Sequence, residues 1–187
     1  MATPLVGSKQ VIFQEDVDFS STNSEAIMTK LSKAALFSQD VTEVNLNFEY
    51  AGFFKNATVA NGATRFVVTK RSEIKRYVLS LGSTGASGIN ALNIKVYDSA
   101  GNFVNDLFST SAEPSILSPS NVNNSYVGYN VDTASNIESS NLGTATVNYG
   151  TLNLTTLEEG YQLVGEVVSN ASAALNAVLI LTIQRLE

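Results

Sequence analysis

The sequence predicts an all-β chain: an antiparallel β-sandwich of jelly-roll topology with one short N-terminal α-helix. Three observations carry this. From Val41 onward apolar residues recur with a period of two in short runs, turn residues separate the runs, and no helical segments alternate with them to make the crossovers of an α/β fold. A length of 187 residues is enough for one sizeable core with a small appendage. The change of period places the division, with residues 1–40 as an arm carrying an amphipathic helix and 41–187 as the sandwich. There is no repeat of fixed period, which argues against a propeller or a β-solenoid.

Taken in order, Val11 to Phe13 is a short apolar run, and Thr22 to Ser38 is the helix. Thr22 and Glu25 have the spacing of a capping box, and Ile27, Leu31, Ala34 and Ala35 recur at helical intervals. Val44, Leu46, Phe48 and Tyr50 then alternate with Asn45, Asn47 and Glu49, the pattern of a half-buried antiparallel strand. Asn61-Gly62 reads as a turn before a strand at Thr64 to Thr69, and Ile74 to Leu81 as a strand with Tyr77, Leu79 and Leu81 on one side. After a Gly/Ser loop at Gly82 to Gly88, Leu92 to Tyr97 and Phe103-Val104 form a hairpin around Asp98 to Asn102, in which Gly101 supplies the left-handed conformation. Ser109 to Gly143 is rich in Ser, Asn and Thr and carries Pro114 and Pro119. It reads as long surface loops around one strand at Tyr126 to Val131. Val147 to Leu154, Gln162 to Val168 and Ala177 to Leu186 are the closing strands, and the last, apolar on both faces over its first half, belongs in the middle of its sheet.

The chain has no His, Cys or Trp. That removes the commonest general base, the thiolate nucleophile, the usual zinc ligands and any disulfide framework. The net charge of −6 speaks against nucleic acid as a main partner, since neutralising phosphates takes a clustered surplus of Lys and Arg. No run of apolar residues reaches membrane-spanning length, and Met1 to Lys9 lacks the pattern of an export signal, so neither a membrane nor Sec export is expected. The closing Leu186-Glu187, a dipeptide that often precedes an affinity tag, is set aside. Carboxylates at Glu15, Asp16 and Asp18, or at Glu158 and Glu159, are the groups open to glycosidase chemistry, but they read as helix-start and turn decoration. There is no nucleophile elbow and no phosphate-binding loop. Asp98, Asn102, Asn105 and Asp106 lack the ligand spacing of a calcium loop. An enzyme is not expected, nor a metal or other cofactor.

Two groups of residues are candidates for partner contact. Arg65, Lys70, Arg71, Lys75 and Arg76 make a basic patch on an acidic chain, open to an acidic neighbour or glycan; the plain alternative is a solvated turn. Ile27 and Leu31, on the apolar face of the helix, either cap the β core or dock a second subunit. For a glycan the candidates are Tyr126 and Tyr129, although a spacing of three points them to opposite faces of a strand. Asn56, Asn123, Asn153 and Asn170 head Asn-x-Ser/Thr triplets of the kind that arise by chance in such a composition.

The run Arg76 to Leu81, the Ser/Thr/Gly loop Gly82 to Gly88, Leu92 to Tyr97, and Ser115-Ile116 after Pro114 resemble a pattern in accessory virion proteins of tailed bacteriophages. Leu152 to Leu157, Glu159 to Leu163, Val167-Val168, the small-residue loop Ser169 to Ala174 and Ala177 to Ile183 resemble the final strands of the same jelly-roll modules. The resemblance spans Glu73 to Arg185 and departs from the compact versions at Ser118 to Gly143. It implies a non-enzymatic virion protein, made in the host cytoplasm and placed on the particle as a capsid decoration or cement protein or as a head- or tail-fibre module. The major capsid protein or other virion proteins would be its partners, in a homo-oligomer such as a dimer or trimer. The competing expectation is a receptor- or glycan-binding sandwich presenting the Ser118 to Gly143 loops.

Overall fold

A computed structural model describes residues 5–6, 10–11, 43–53, 61–171 and 174–186. The chain divides into two units, Met1–Thr42 and Glu43–Glu187. In the first, β1 (Leu5–Val6) pairs antiparallel with β2 (Gln10–Val11). The helix expected at Thr22 to Ser38, with Ile27 and Leu31, lies outside the described residues, as do Ile12 and Phe13.

The second unit is a β-sandwich of two six-stranded antiparallel sheets, with no helix among the described residues. One sheet contains β3 (Glu43–Phe53), β5 (Ser72–Ser83), β9 (Asn123–Asn130), β10 (Ser135–Glu138), β12 (Thr156–Leu157) and β14 (Leu175–Arg185). Its order is β10-β9-β5-β14-β3, with β12 pairing on β5. The other contains β4 (Asn61–Val67), β6 (Ile89–Tyr97), β7 (Phe103–Asp106), β8 (Ser115–Leu117), β11 (Thr146–Asn148) and β13 (Gln162–Ser169). It runs β11-β8-β6-β13-β4, with β7 pairing on β6. As its period of two requires, β14 is interior, hydrogen-bonded to β5 on one side and β3 on the other.

Alternation decides what enters the core. Leu79, Leu81, Val127, Leu179 and Leu181 of the first sheet face Leu92, Ile94, Val96, Ile116 and Leu163 of the second in one buried cluster. Burial of such aliphatic side chains contributes about 1.5–3 kcal/mol each and is the main force holding the sheets together. Aromatic contacts add direction. Tyr77 meets Phe108 edge-on at 4.7 Å, and Phe48 of β3 meets Phe66 of β4 edge-on at 5.0 Å, joining the rims of the two sheets.

Ile74 and Tyr77 are both buried although three residues apart. The β14–β5 ladder explains this: Thr182 pairs with Arg76 and Ile183 with Ile74, so Lys75 is an extra residue that shifts the phase of the strand.

Several sequence expectations need correction. Asn61-Gly62 is not a turn: Asn61 already lies in β4, opposite Glu166. Ser109 to Gly143 is not one strand amid loops. Besides β9 it contributes β8 and β10, whose Ser- and Asn-rich sequences carry little alternation and are held in place by pairing to β6, β11 and β9. Val147 to Leu154 is not continuous strand. It breaks after Asn148, and Gly150 (φ 92°) turns the chain against Pro114.

Candidate functional site

The outer faces of the two sheets differ. On the first, β3 presents Glu43, Asn45, Asn47 and Glu49, all exposed, and Thr182 beside them accepts from Arg76 Nε at 3.1 Å and donates to Asn45 Oδ1 at 2.6 Å. Val78, Val178 and Ile180 are half-buried there, and Tyr126 is its exposed large apolar side chain. On the second sheet, inward Leu92, Ile94 and Val96 leave Ile89, Ala91, Asn93, Lys95 and Tyr97 of β6 pointing outward. Exposed large apolar residues collect on this sheet: Val67, Ile89, Phe103, Val104, Leu117 and Val168.

They form two ends. At one, Ile89 and Leu117 are direct cross-strand neighbours and Val168 lies on β13, where the ladder to β6 shifts register. At the other, Phe103, Tyr97, Gln162 and Val67 form a row across β7, β6, β13 and β4. The next row, Asp106, Lys95, Val164 and Arg65, crosses the same four strands. Along β6 the ends are about 26 Å apart at the strand rise of about 3.3 Å per residue. Between them Lys95 Nζ meets Glu166 Oε1 at 3.2 Å, and hydrogen bonding to that carboxylate holds the Lys95 pKa above its ordinary value against the opposing effect of burial. Asp106 Oδ1 is buried without a hydrogen-bond partner among the described residues, and its charge also acts on Lys95.

At the aromatic end a depression of about 280 Å³ is lined by Arg65, Tyr97, Gly101, Gln162 and Val164. Val164 is its apolar floor, 3% exposed though it faces outward. Tyr97 and Phe103 meet edge-on at 5.8 Å, and Phe103 is 55% exposed. The rim is a rigid turn in which Asp98 Oδ1 accepts from the Ala100 and Asn102 amides at 2.9 and 2.8 Å, and Oδ2 from Asn102 Nδ2 at 3.0 Å. These bonds, the Asn102 side chain first, hold the Asp98 pKa below its ordinary value. Gly101 closes the turn at φ 85°.

The basic residues do not form one surface. Arg65 lies on β4 of the second sheet, Lys70 and Arg71 in the connection, and Lys75 and Arg76 on β5 of the first. Arg71 Nε meets Glu158 at 3.1 Å, and Lys75 Nζ meets Glu73 at 2.9 Å and Asp132 at 3.1 Å, bonds that hold its pKa up. Tyr126 and Tyr129 point to opposite sides of β9: Tyr126 is exposed, whereas Tyr129 packs on the core with its ring 6.3 Å from that of Tyr77. Glu158 and Glu159 are exposed at a turn, and among the described residues no three acidic side chains come together as a metal site. Glu15, Asp16 and Asp18 lie outside the described residues. Sequence reasoning missed Tyr97, Gln162 and Val164, because their juxtaposition follows from the pairing of β6 with β13, which brings together Tyr97 and Gln162, 65 positions apart in the chain.

No protein-family model and no curated protein matches this chain.

Proposed function

We propose that this chain is a non-enzymatic structural protein of a tailed-phage particle, which decorates or stabilises the capsid, or builds a head or tail fibre, through contacts with neighbouring subunits. The observation that carries the reading is the apolar end of the second sheet. Ile89 is 46% exposed, Leu117 38% and Val168 39%, at the end of the second sheet opposite Phe103 and Val67. Exposed apolar side chains at adjacent register positions favour burial against another protein surface.

The strand order supports reading the sandwich as a jelly roll. The sheets β9-β5-β14-β3 and β8-β6-β13-β4 have the four-plus-four arrangement of that fold, in which the chain crosses repeatedly from one sheet to the other. The resemblance from Glu73 to Arg185 points to the same class of module. Homo-oligomerisation as a dimer or trimer brings the apolar ends of several copies together and leaves the polar outer face of the first sheet to solvent.

Antibodies raised against the folded chain test the particle assignment. On this reading they label intact virions at regular positions in electron micrographs; unlabelled virions beside a soluble pool of the protein in infected cells overturn it.

A further inference from the structure

We infer that the depression between β4, β13 and β6 binds a saccharide ring bearing a carboxylate. Its volume, about 280 Å³, is at the small end of ligand pockets, roughly 300–1,000 Å³, and suits one ring rather than a long chain. The parts are those that recognise such a ring. Tyr97 offers aromatic surface for the apolar C–H face of a sugar, backed edge-on by Phe103 and with buried Val164 beneath. Gln162 supplies an amide for hydroxyl groups; its Nε2 sits 3.5 Å from the Asp98 carbonyl oxygen, a weak bond that a better acceptor displaces.

Charge selects among sugars. Arg65 is exposed, lines the depression, and makes no ion pair with any described residue, whereas Lys95 in the same row is neutralised by Glu166. A guanidinium at the edge of an aromatic-walled depression matches a planar carboxylate in two parallel hydrogen bonds. Arg65 and Tyr97 flank β13 from opposite sides in rows two residues apart, so two strand spacings and that offset put their backbones about 12 Å apart, wide enough for a ring to lie between them. Asp98 makes no ion pair with Arg65; its carboxylate accepts three hydrogen bonds within the turn.

The site is separate from Tyr126 and from the Ile89–Leu117 end, so it stands or falls independently of the particle assignment. The test is a titration of the full-length protein, isotope-labelled for amide NMR, with methyl β-glucuronide and with methyl β-glucoside. The expected result is saturable shifts at Tyr97, Gly101, Gln162 and Val164, with the glucuronide bound roughly tenfold more tightly, the scale of one exposed charge-assisted contact. Arg65→Gln removes that preference, and Tyr97→Ala weakens both. Equal affinity for the two glycosides, a preference that survives Arg65→Gln, shifts centred on Tyr126, or no saturable shift with either sugar overturns the inference.

Discussion

Replacing Asn93 with Leu removes a side chain that does the work of a strand. Asn93 is 3% exposed; its Nδ2 donates to the Phe108 carbonyl at 3.1 Å and its Oδ1 accepts from the Phe108 amide at 3.0 Å. On its other side Phe108 faces Leu152 in a bridge whose bonds come from the flanking residues, Ser109 to Thr151 and Asn153 to Leu107. Phe108 therefore satisfies both backbone groups through one amide side chain. Leucine fills a similar volume, excludes water and offers nothing in return. The two Phe108 groups left without partners cost about 1–3 kcal/mol each, the Ile94 amide also loses its 2.8 Å bond to Asn93 Oδ1, and about 3 kcal/mol is the net expectation. With a urea dependence of about 2 kcal/mol per molar, the unfolding midpoint falls by about 1.5 M. Asn93→Asp keeps the acceptor but loses the donor, and should fall between Asn93→Leu and the unsubstituted protein. A shift below about 0.3 M for Asn93→Leu, with unchanged slope, would refute the reasoning.

A Cβ at Gly128 would overlap the Tyr77 carbonyl oxygen and lie 2.8 Å from Val78 Cα, both backbone atoms that cannot swing away. Gly128→Ala forces β9 from β5, costs about 1–3 kcal/mol and lowers the thermal midpoint by roughly 2–10 °C, whereas Gly143→Asn, at φ 57° with open space around it, leaves the midpoint nearly unchanged. Burial, helped by the neighbouring Tyr129, pushes the Tyr77 phenol up to about 12, so folding favours its neutral form. That contribution is complete below pH 10 and is lost as pH rises towards 12; denaturation series at pH 8 and 11 should show the loss. Tyr77→Phe gives up the 2.9 Å bond to the Gly150 carbonyl, costs about 1 kcal/mol at pH 8 and makes the alkaline loss shallower.

The sandwich was legible because alternation is local: Val44, Leu46 and Phe48, or Ala177, Leu179 and Leu181, announce their face without knowledge of a partner. Gly101 marked its turn in the same way. Short strands such as Ser115–Leu117 and Ser135–Glu138 were not legible, because their polar residues become strand only when a neighbouring strand supplies hydrogen bonds. The basic run looked like one patch because Lys70, Arg71, Lys75 and Arg76 are close in sequence. The chain crosses between sheets there, and the partners Glu158 and Asp132 arrive from distant segments. Tyr97, Gln162 and Arg65 come together through two strand pairings, and nothing local to any of them signals the others.

Assembly through the apolar end of the second sheet is the central claim, and light-scattering mass tests it most directly. The full-length protein and the double variant Ile89→Lys, Leu117→Lys are compared from micromolar to near-millimolar concentration, with circular dichroism to establish that both fold. A dimer or trimer is expected for the unsubstituted chain and a folded monomer for the variant. A monomer at every concentration for the unsubstituted chain, or an oligomer that survives both substitutions, contradicts it.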